Sequence, residues 1–360
     1  MRVLVAGWVG STNLGDELVL AGLLRHLRDL GAQPVVLSVD PDATARDHGV
    51  EAVRSGGPAA LVAAAGGCDA LVLGGGGLLQ DETSPFNLPF HLARAWAAAL
   101  RRLPRAGVGL GAGRLDTALG RRLVRATLRG MPVSVRDPGS ADLLAALGLP
   151  RPVVAADLAL ALPDVDVAPA DRVVVCLRPW AGGGGLLPAS VRARLAPPQD
   201  AGALATTARA LDELHARTGL VPHLVALQAD RDGPLHDAVA DRMTAPVTTA
   251  RPGLAALPAE VASGRAVVAM RYHGALCAVL AGRPAVLVGY SPKVDALAAE
   301  LGPAGRLLPW RADGLAGAAD AVEQVLPASS AAARTRLRAR ERGNVEVLRG
   351  LMSGVAGPMS

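Results

Sequence analysis

Short apolar runs ending in glycine or a polar loop, each followed by an amphipathic stretch, recur along nearly the whole chain. The opening RVLVAG predicts a strand. The polar loop VGSTNLGDE separates it from LVLAGLLRHLRDLG, where Leu20, Leu23, Leu24 and Leu27 keep the i, i+3, i+4, i+7 period of a helix face. Gly31 supplies a C-terminal cap for that helix. PVVLSVD predicts a second strand, which completes a βαβ unit. The alternation then repeats. ALVLGGGG, AGVGLGAG and MPVSVRD predict strands, and FHLARAWAAALRRL and ADLLAALG predict helices. The strands are continuous apolar runs rather than alternating ones, which predicts a parallel sheet covered on both faces.

Residues 161–171, ALPDVDVAPAD, are rich in proline and aspartate and mark a linker. The pattern then restarts. RVVVCLRP, HLVALQ, RAVVAMRYHG and PAVLVGY predict strands, and ALATTARALDELHARTG, LHDAVADRM and ALCAVLAG predict helices. The expected fold is α/β, with two Rossmann-like doubly wound parallel-sheet domains facing a cleft. Their expected extents are 1–165 and 172–328, followed by a basic C-terminal helix and tail over 329–360. Segment 181–200 holds too much glycine and proline for a regular element and is expected to be a mobile loop over the cleft.

Composition agrees with this picture. A chain of 360 residues with 51% hydrophobic positions suits two cored domains. A net charge of +5 is too mild for a dedicated nucleic-acid binder. Cys68, Cys176 and Cys277 lie far apart, so neither a disulfide framework nor a structural zinc site is expected, and a reducing compartment fits. No apolar run is long enough to predict a membrane span. The start of the chain reads as a first strand and not as a signal segment. The chain has no isoleucine, one lysine against 36 arginines, three asparagines, two phenylalanines and two tyrosines. Such a bias leaves the rarer types mainly where their chemistry is needed. Asn13, Phe86, Asn87, Phe90, Tyr272, Tyr290 and Lys293 fall in three short segments, and Asn344 stands apart.

Open α/β sheets bind ligands beyond the carboxyl ends of their strands, so the polar residues there are the candidates. The first loop, Gly7–Glu17, has glycines for a tight strand-to-helix turn ahead of a helix N-terminus that favours anions. It lacks a dinucleotide or Walker spacing. Asp16 either caps the helix or serves the site, and Asn13 stands beside it. In the second, Gly74–Asp81, four glycines allow close approach of a ligand or a facing loop. Gln80 and Asp81 either cap that turn or face a ligand. Phe86 and Phe90 flank Asn87 and offer a platform for a sugar ring. In the third, Ser134–Asp137, Arg136 either projects into the cleft or pairs with Asp137 or another carboxylate. The fourth combines Arg271-Tyr272-His273-Gly274 with Gly289-Tyr290-Ser291-Pro292-Lys293. Strand alternation would put Arg271 and His273 on one face, with Gly274 opening a helix. Lys293 would follow an adjacent strand about 4.8 Å away, so the three cations could converge on one small anion.

Together the NLGDE loop, GGGGLLQD, SVRD, RYHG and the Y-S-P-K segment resemble the polysaccharide pyruvyl transferase family, particularly its CsaB-type bacterial cell-wall branch. The resemblance covers most of the chain. It implies a fold like the two-domain GT-B glycosyltransferases, with an acceptor side in the first domain and a donor site in the second. It also implies transfer of a pyruvyl group from phosphoenolpyruvate (PEP) onto a sugar diol as a ketal, with release of phosphate. Carried over residue by residue, Arg136, Arg271 and Lys293 are expected to bind PEP and His273 to act as acid or base, with the helix start at Gly274 as a further PEP-binding candidate. Asn13, Asp16, Gln80, Asp81 and Asn87 are the acceptor-side candidates. Two arginine forks and one ammonium suit so compact an anion, and histidine titrates near neutrality. PEP is the co-substrate, and neither a cofactor nor a metal is expected. The implied acceptor is a lipid-linked amino sugar. The implied location is the cytoplasm, at the inner face of the membrane; the C-terminal stretch with Arg334, Arg336, Arg338, Arg340, Arg342 and Arg349 either packs back across the two domains or makes weak, salt-sensitive contact with an anionic membrane surface. The competing readings are a nucleotide-sugar glycosyltransferase and a non-catalytic carbohydrate-binding protein. Against the first, residues 275–282 contain no acidic residue to hold a ribose.

Overall fold

The computed structural model describes residues 1–81, 84, 86–179, 200–289, 291–310, 315–325 and 327–356. The expected loop at 181–200 and Tyr290 therefore lie almost wholly outside the described residues. Two parallel sheets form. The first contains β1 (Arg2–Ala6), β2 (Gln33–Ser38), β3 (Glu51–Arg54), β4 (Ala70–Leu79), β5 (Arg105–Ala112), β6 (Val133–Val135) and β7 (Val153–Val154), in the order β3-β2-β1-β4-β5-β6-β7. The second contains β8 (Arg172–Cys176), β9 (Val221–Val225), β10 (Thr248–Ala250), β11 (Ala266–Ala269), β12 (Ala285–Gly289) and β13 (Gly305–Pro309), in the order β10-β9-β8-β11-β12-β13. Every strand pairing is parallel.

Helices cover both faces. In α1 (Leu14–Asp29) the predicted leucine stripe is fully buried, packed against Val3, Val5, Val36, Val72 and Val108. Each leucine so buried stabilises by about 1.5–3 kcal/mol. The other α-helices are α2 (Pro41–His48), α3 (Pro58–Gly66), α4 (Asn87–Leu100), α5 (Ala118–Leu128), α6 (Pro138–Ala146), α7 (Ala201–Thr218), α8 (Ala229–Ala240), α9 (Leu257–Ala262), α10 (Tyr272–Leu280), α11 (Pro292–Leu301), α12 (Ala318–Gln324), α13 (Ser330–Glu341) and α14 (Gly343–Ala356). The expected single basic helix is thus two, α13 and α14. Val347, Leu348 and Leu351 of α14 enter the core of the first sheet. Asn344 fastens this return. It is buried, donates to Ala156 O at 2.9 Å and accepts from Ser134 Oγ at 2.7 Å.

Local structure departs from the expectation at three places that shape the cleft. Asn13, not Asp16, caps α1, accepting from Gly15 N–H at 3.2 Å. The glycines after ALVL do not end the strand. β4 runs through them to Leu79, with Gly75 and Gly76 in the left-handed region that a side chain would strain. RYHG is not strand: β11 stops at Ala269, Arg271 is the N-cap of α10, and His273 lies in its first turn. Strand alternation therefore does not align Arg271 with His273.

Burial sets one stability prediction. His91, His223 and His236 are buried, and burial pushes each below the usual imidazole value, His91 to about 3. The unfolded chain then binds protons that the native state refuses, so stability falls as pH drops below about 6.5. Between pH 6.5 and 4.5 His91 alone costs about 2 kcal/mol. Urea unfolding across this range should show a flatter slope for His91→Phe than for the parent. An unchanged slope would remove His91 from the account.

Candidate functional site

The carboxyl ends of the two sheets face each other, and two helix N-termini meet there. The loop before α1 crosses to the second domain: Leu14 N–H donates to Leu227 O at 2.9 Å, and Gln228 Nε2 donates to Thr12 Oγ1 at 2.9 Å. The His273 imidazole, at the start of α10, lies directly on Gly15. A β-carbon at Gly15 would stand 2.8 Å from the ring's Cγ and closer still to Nδ1. Both N-termini carry partial positive charge, so their junction favours an anion. Gly274 lets α10 sit this close to β8, because a β-carbon there would lie 3.0 Å from Cys176 Sγ.

Arg136 follows β6 and is only 4% exposed. Gly111 makes room for it: a β-carbon at that position would lie 2.7 Å from Nε. Its Nη1 donates to Asp157 Oδ2 at 3.0 Å, Asp137 Oδ2 lies 3.9 Å from Nε, and Tyr272 of the other domain covers the guanidinium 4.5 Å from its ring centre. Asp157 Oδ2 is also 3.7 Å from His273 Nε2. Burial alone would raise the Asp157 pKa. The adjoining His273, Arg136 and Ala159 N–H outweigh it and hold the carboxyl well below its ordinary value. Among the described residues, Arg136 Nε, His273 Nε2 and Ser291 Oγ are buried without a hydrogen-bond partner.

Arg271 is occupied differently. Its Nε donates to Asp232 Oδ2 at 3.0 Å, while Nη2 bonds Asp232 Oδ1 and, at 3.2 Å, Gln228 Oε1. Two further arginines stand near it. Burial, and then the charges of Arg271 and Arg178, pull the Arg231 pKa below the usual arginine value. Lys293 is exposed in the first turn of α11. Asp16 faces the cleft near it. Burial raises the Asp16 pKa, and the His273 charge, the Asn13 hydrogen bond at 2.6 Å and the Lys293 charge work against that rise.

The structure therefore gathers Asn13, Asp16, Arg136, His273 and Lys293 around one junction and gives Arg271 a carboxylate partner beside it. Of the remaining acceptor-side candidates, Asp81 and Asn87 make hydrogen bonds within the first domain. Asp81 accepts from Asp116 N, Thr117 N and Thr117 Oγ1, so its capping alternative is the one seen. Asn87 donates to Leu78 O and to Gln80 O, tying the end of β4 to α4. Asp157, Asp232, Gln228, Arg178 and Arg231 were not predicted. Arg178 and Asp157 satisfy the same strand-end rule that found the others, two and three residues beyond β8 and β7. Among the described residues no group of three or more His, Cys, Asp or Glu side chains is placed to hold a metal ion.

Two parallel-sheet domains with a polar cleft at their carboxyl ends define a GT-B-type α/β protein. The chain belongs to the polysaccharide pyruvyl transferase family, an enzyme family whose sequence model matches residues 13–292. No curated protein sequence matches it. Solved structures with the same fold include a UDP-GlcNAc 2-epimerase from Neisseria meningitidis bound to UDP-GlcNAc, at TM-score 0.61 and 10% identity, covering 98% of this chain and 100% of that one. A UDP-GlcNAc 2-epimerase from Methanocaldococcus jannaschii is similar at TM-score 0.61 and 11% identity, covering 98% and 100%. The glycosyltransferase SnogD from Streptomyces nogalater is similar at TM-score 0.58 and 19% identity, covering 99% of both chains. At such identities these structures share the fold alone.

Proposed function

We propose that the cleft transfers the pyruvyl group of PEP to two hydroxyls of an amino sugar in a lipid-linked cell-wall precursor. The observation that carries this reading is the junction of two helix N-termini over His273, where Arg136 Nε and His273 Nε2 are buried without a hydrogen-bond partner among the described residues. PEP brings about three negative charges to that junction. Lys293 meets them as a compact cation, and the arginines around Arg271 add to the field. His273 delivers a proton to the methylene carbon, leaving an oxocarbenium-like centre at the neighbouring carbon. One sugar hydroxyl adds there, the C–O bond to phosphate breaks, and the second hydroxyl closes the ketal. The hydroxyls release two protons: one balances the new methyl group and the other leaves with hydrogen phosphate. Asp16, across the junction from His273, is placed to take a hydroxyl proton.

Among the described residues no helix is long and apolar enough to cross a membrane. A membrane-bound acceptor would meet this chain at its surface. Four of the six tail arginines are engaged within the protein: Arg334 with Leu280 O, Arg336 with Glu300 O, Arg338 with Leu162 O and Arg340 with Glu300. Surface contact would then fall to the exposed Arg342 and Arg349.

Phosphate release from PEP in the presence of lipid-linked amino-sugar disaccharides tests the reading, with calorimetric titration of PEP and UDP-sugars beside it. Binding of UDP-sugars without PEP would replace the reading with a glycosyltransferase. Lys293→Arg is a sharper probe. A planar fork does not reproduce a point charge, so kcat/KM for PEP should fall about 10–100-fold, the scale of one lost charged hydrogen bond. Parent-like kinetics in this variant would show that the lone lysine has no special role.

A further inference from the structure

The strand order of the first sheet reverses at β1: β2 and β3 lie to one side, and β4 through β7 lie to the other. The crevice at the carboxyl ends of such a reversal is where open sheets receive ligands. Three aromatic side chains stand over it. Trp8 follows β1, and Phe86 and Phe90 lie one turn apart at the start of α4. They are 40%, 64% and 39% exposed. The chain is only 2% aromatic, yet both of its phenylalanines and one of its four tryptophans are spent here, in water. Single exposed apolar residues are ordinary, but a cluster of them marks a binding surface.

Two of the three rings are braced by neighbours. Trp8 and Phe90 meet edge to face, with ring centres 5.7 Å apart at 67°. The buried Arg94 guanidinium supports Phe90 from 3.9 Å and bonds Ser55 Oγ at 2.7 Å. His91 packs against both rings from below, and among the described residues its buried Nδ1 has no hydrogen-bond partner. A small recess lined by Gly7, Trp8, Val9, Asp16, Gly74 and Gly75 runs from the cluster to Asp16.

We propose that Trp8, Phe86 and Phe90 form a stacking ledge for a neutral sugar ring of the acceptor, the unit next to the one that receives the pyruvyl group. A pyranose presents a face of C–H groups and a rim of hydroxyls. Aromatic faces match the first and leave the hydroxyls to water. Trp8 and Asp16 line the same small recess, so a ring on the ledge lies next to a unit near the Asp16 carboxylate. The proposal rests on the transferase reading for the reaction, but not for binding.

The protein labelled with 5-fluorotryptophan gives four fluorine signals, and Trp8→Leu assigns that of Trp8. Neutral and N-acetylated mono-, di- and trisaccharides are then titrated in. At least one oligosaccharide should move the Trp8 signal. Trp8→Ala should weaken its binding by about tenfold or more while PEP affinity stays unchanged. Phe86→Ala, at the most exposed of the three positions, repeats the test with little risk to folding. The ledge is overturned if no sugar moves the Trp8 signal, if neither variant weakens binding, or if only a detergent-solubilised polyprenyl phosphate moves it. Sugar binding at Trp8 without PEP-dependent phosphate release keeps the ledge and removes the transferase reading. Transfer that is insensitive to both variants does the reverse.

Discussion

His273→Ala should fold and melt close to the parent yet turn over about 10²–10⁴-fold more slowly, the cost of losing a general acid or base. The ring lines the cleft and does not belong to either domain's core. Its Nε2 is buried, lacks a hydrogen bond among the described residues and sits 3.7 Å from Asp157 Oδ2. Tyr272 holds the ring edge to face with centres 5.3 Å apart, so its orientation is set before any ligand arrives. Steady-state kinetics with thermal melting decides the matter. kcat should carry the loss, and the KM for PEP should move far less. A folded His273→Ala protein with parent turnover would end the assignment.

Gly15→Ala should cost about 10²-fold in kcat/KM, although alanine is the better helix former by up to about 1 kcal/mol. The added β-carbon would lie 2.8 Å from His273 Cγ, closer than real side chains come. Tyr272 packs against the imidazole and Asp157 lies at its Nε2, so the ring cannot simply turn away. Either the catalytic ring shifts or α1 and α10 move apart. A displacement near 1 Å is enough for a loss of that size. The expected pattern is a large kinetic defect with a small change in thermal midpoint. Parent kinetics would show that the helix junction gives way freely and does not position His273.

Gly15 also shows where reading along the chain stops. A glycine between strand and helix suggests conformational need, and Gly10, at φ +75°, has that need. Gly15 is not among the positive-φ glycines. It is required by a histidine 258 positions away in the other domain, a contact with no local trace.

The interior of each sheet was legible because strands buried on both faces must be apolar throughout. All nine predicted strands exist, and they are the interior strands of both sheets. The four that were not predicted, β3, β7, β10 and β13, are the four edges. Edge strands are half-covered and short, so EAVR, VV, TTA and GRLLP carry no such signal. The rule that ligands meet strand ends found Arg136, Arg271, His273 and Lys293 from the chain alone. Which charges they meet was decided only in three dimensions. Arg271 takes Asp232, Arg136 takes Asp157, and His273 rests on Gly15, because partners so far apart in sequence are chosen by the packing of two domains and leave no periodic mark on either.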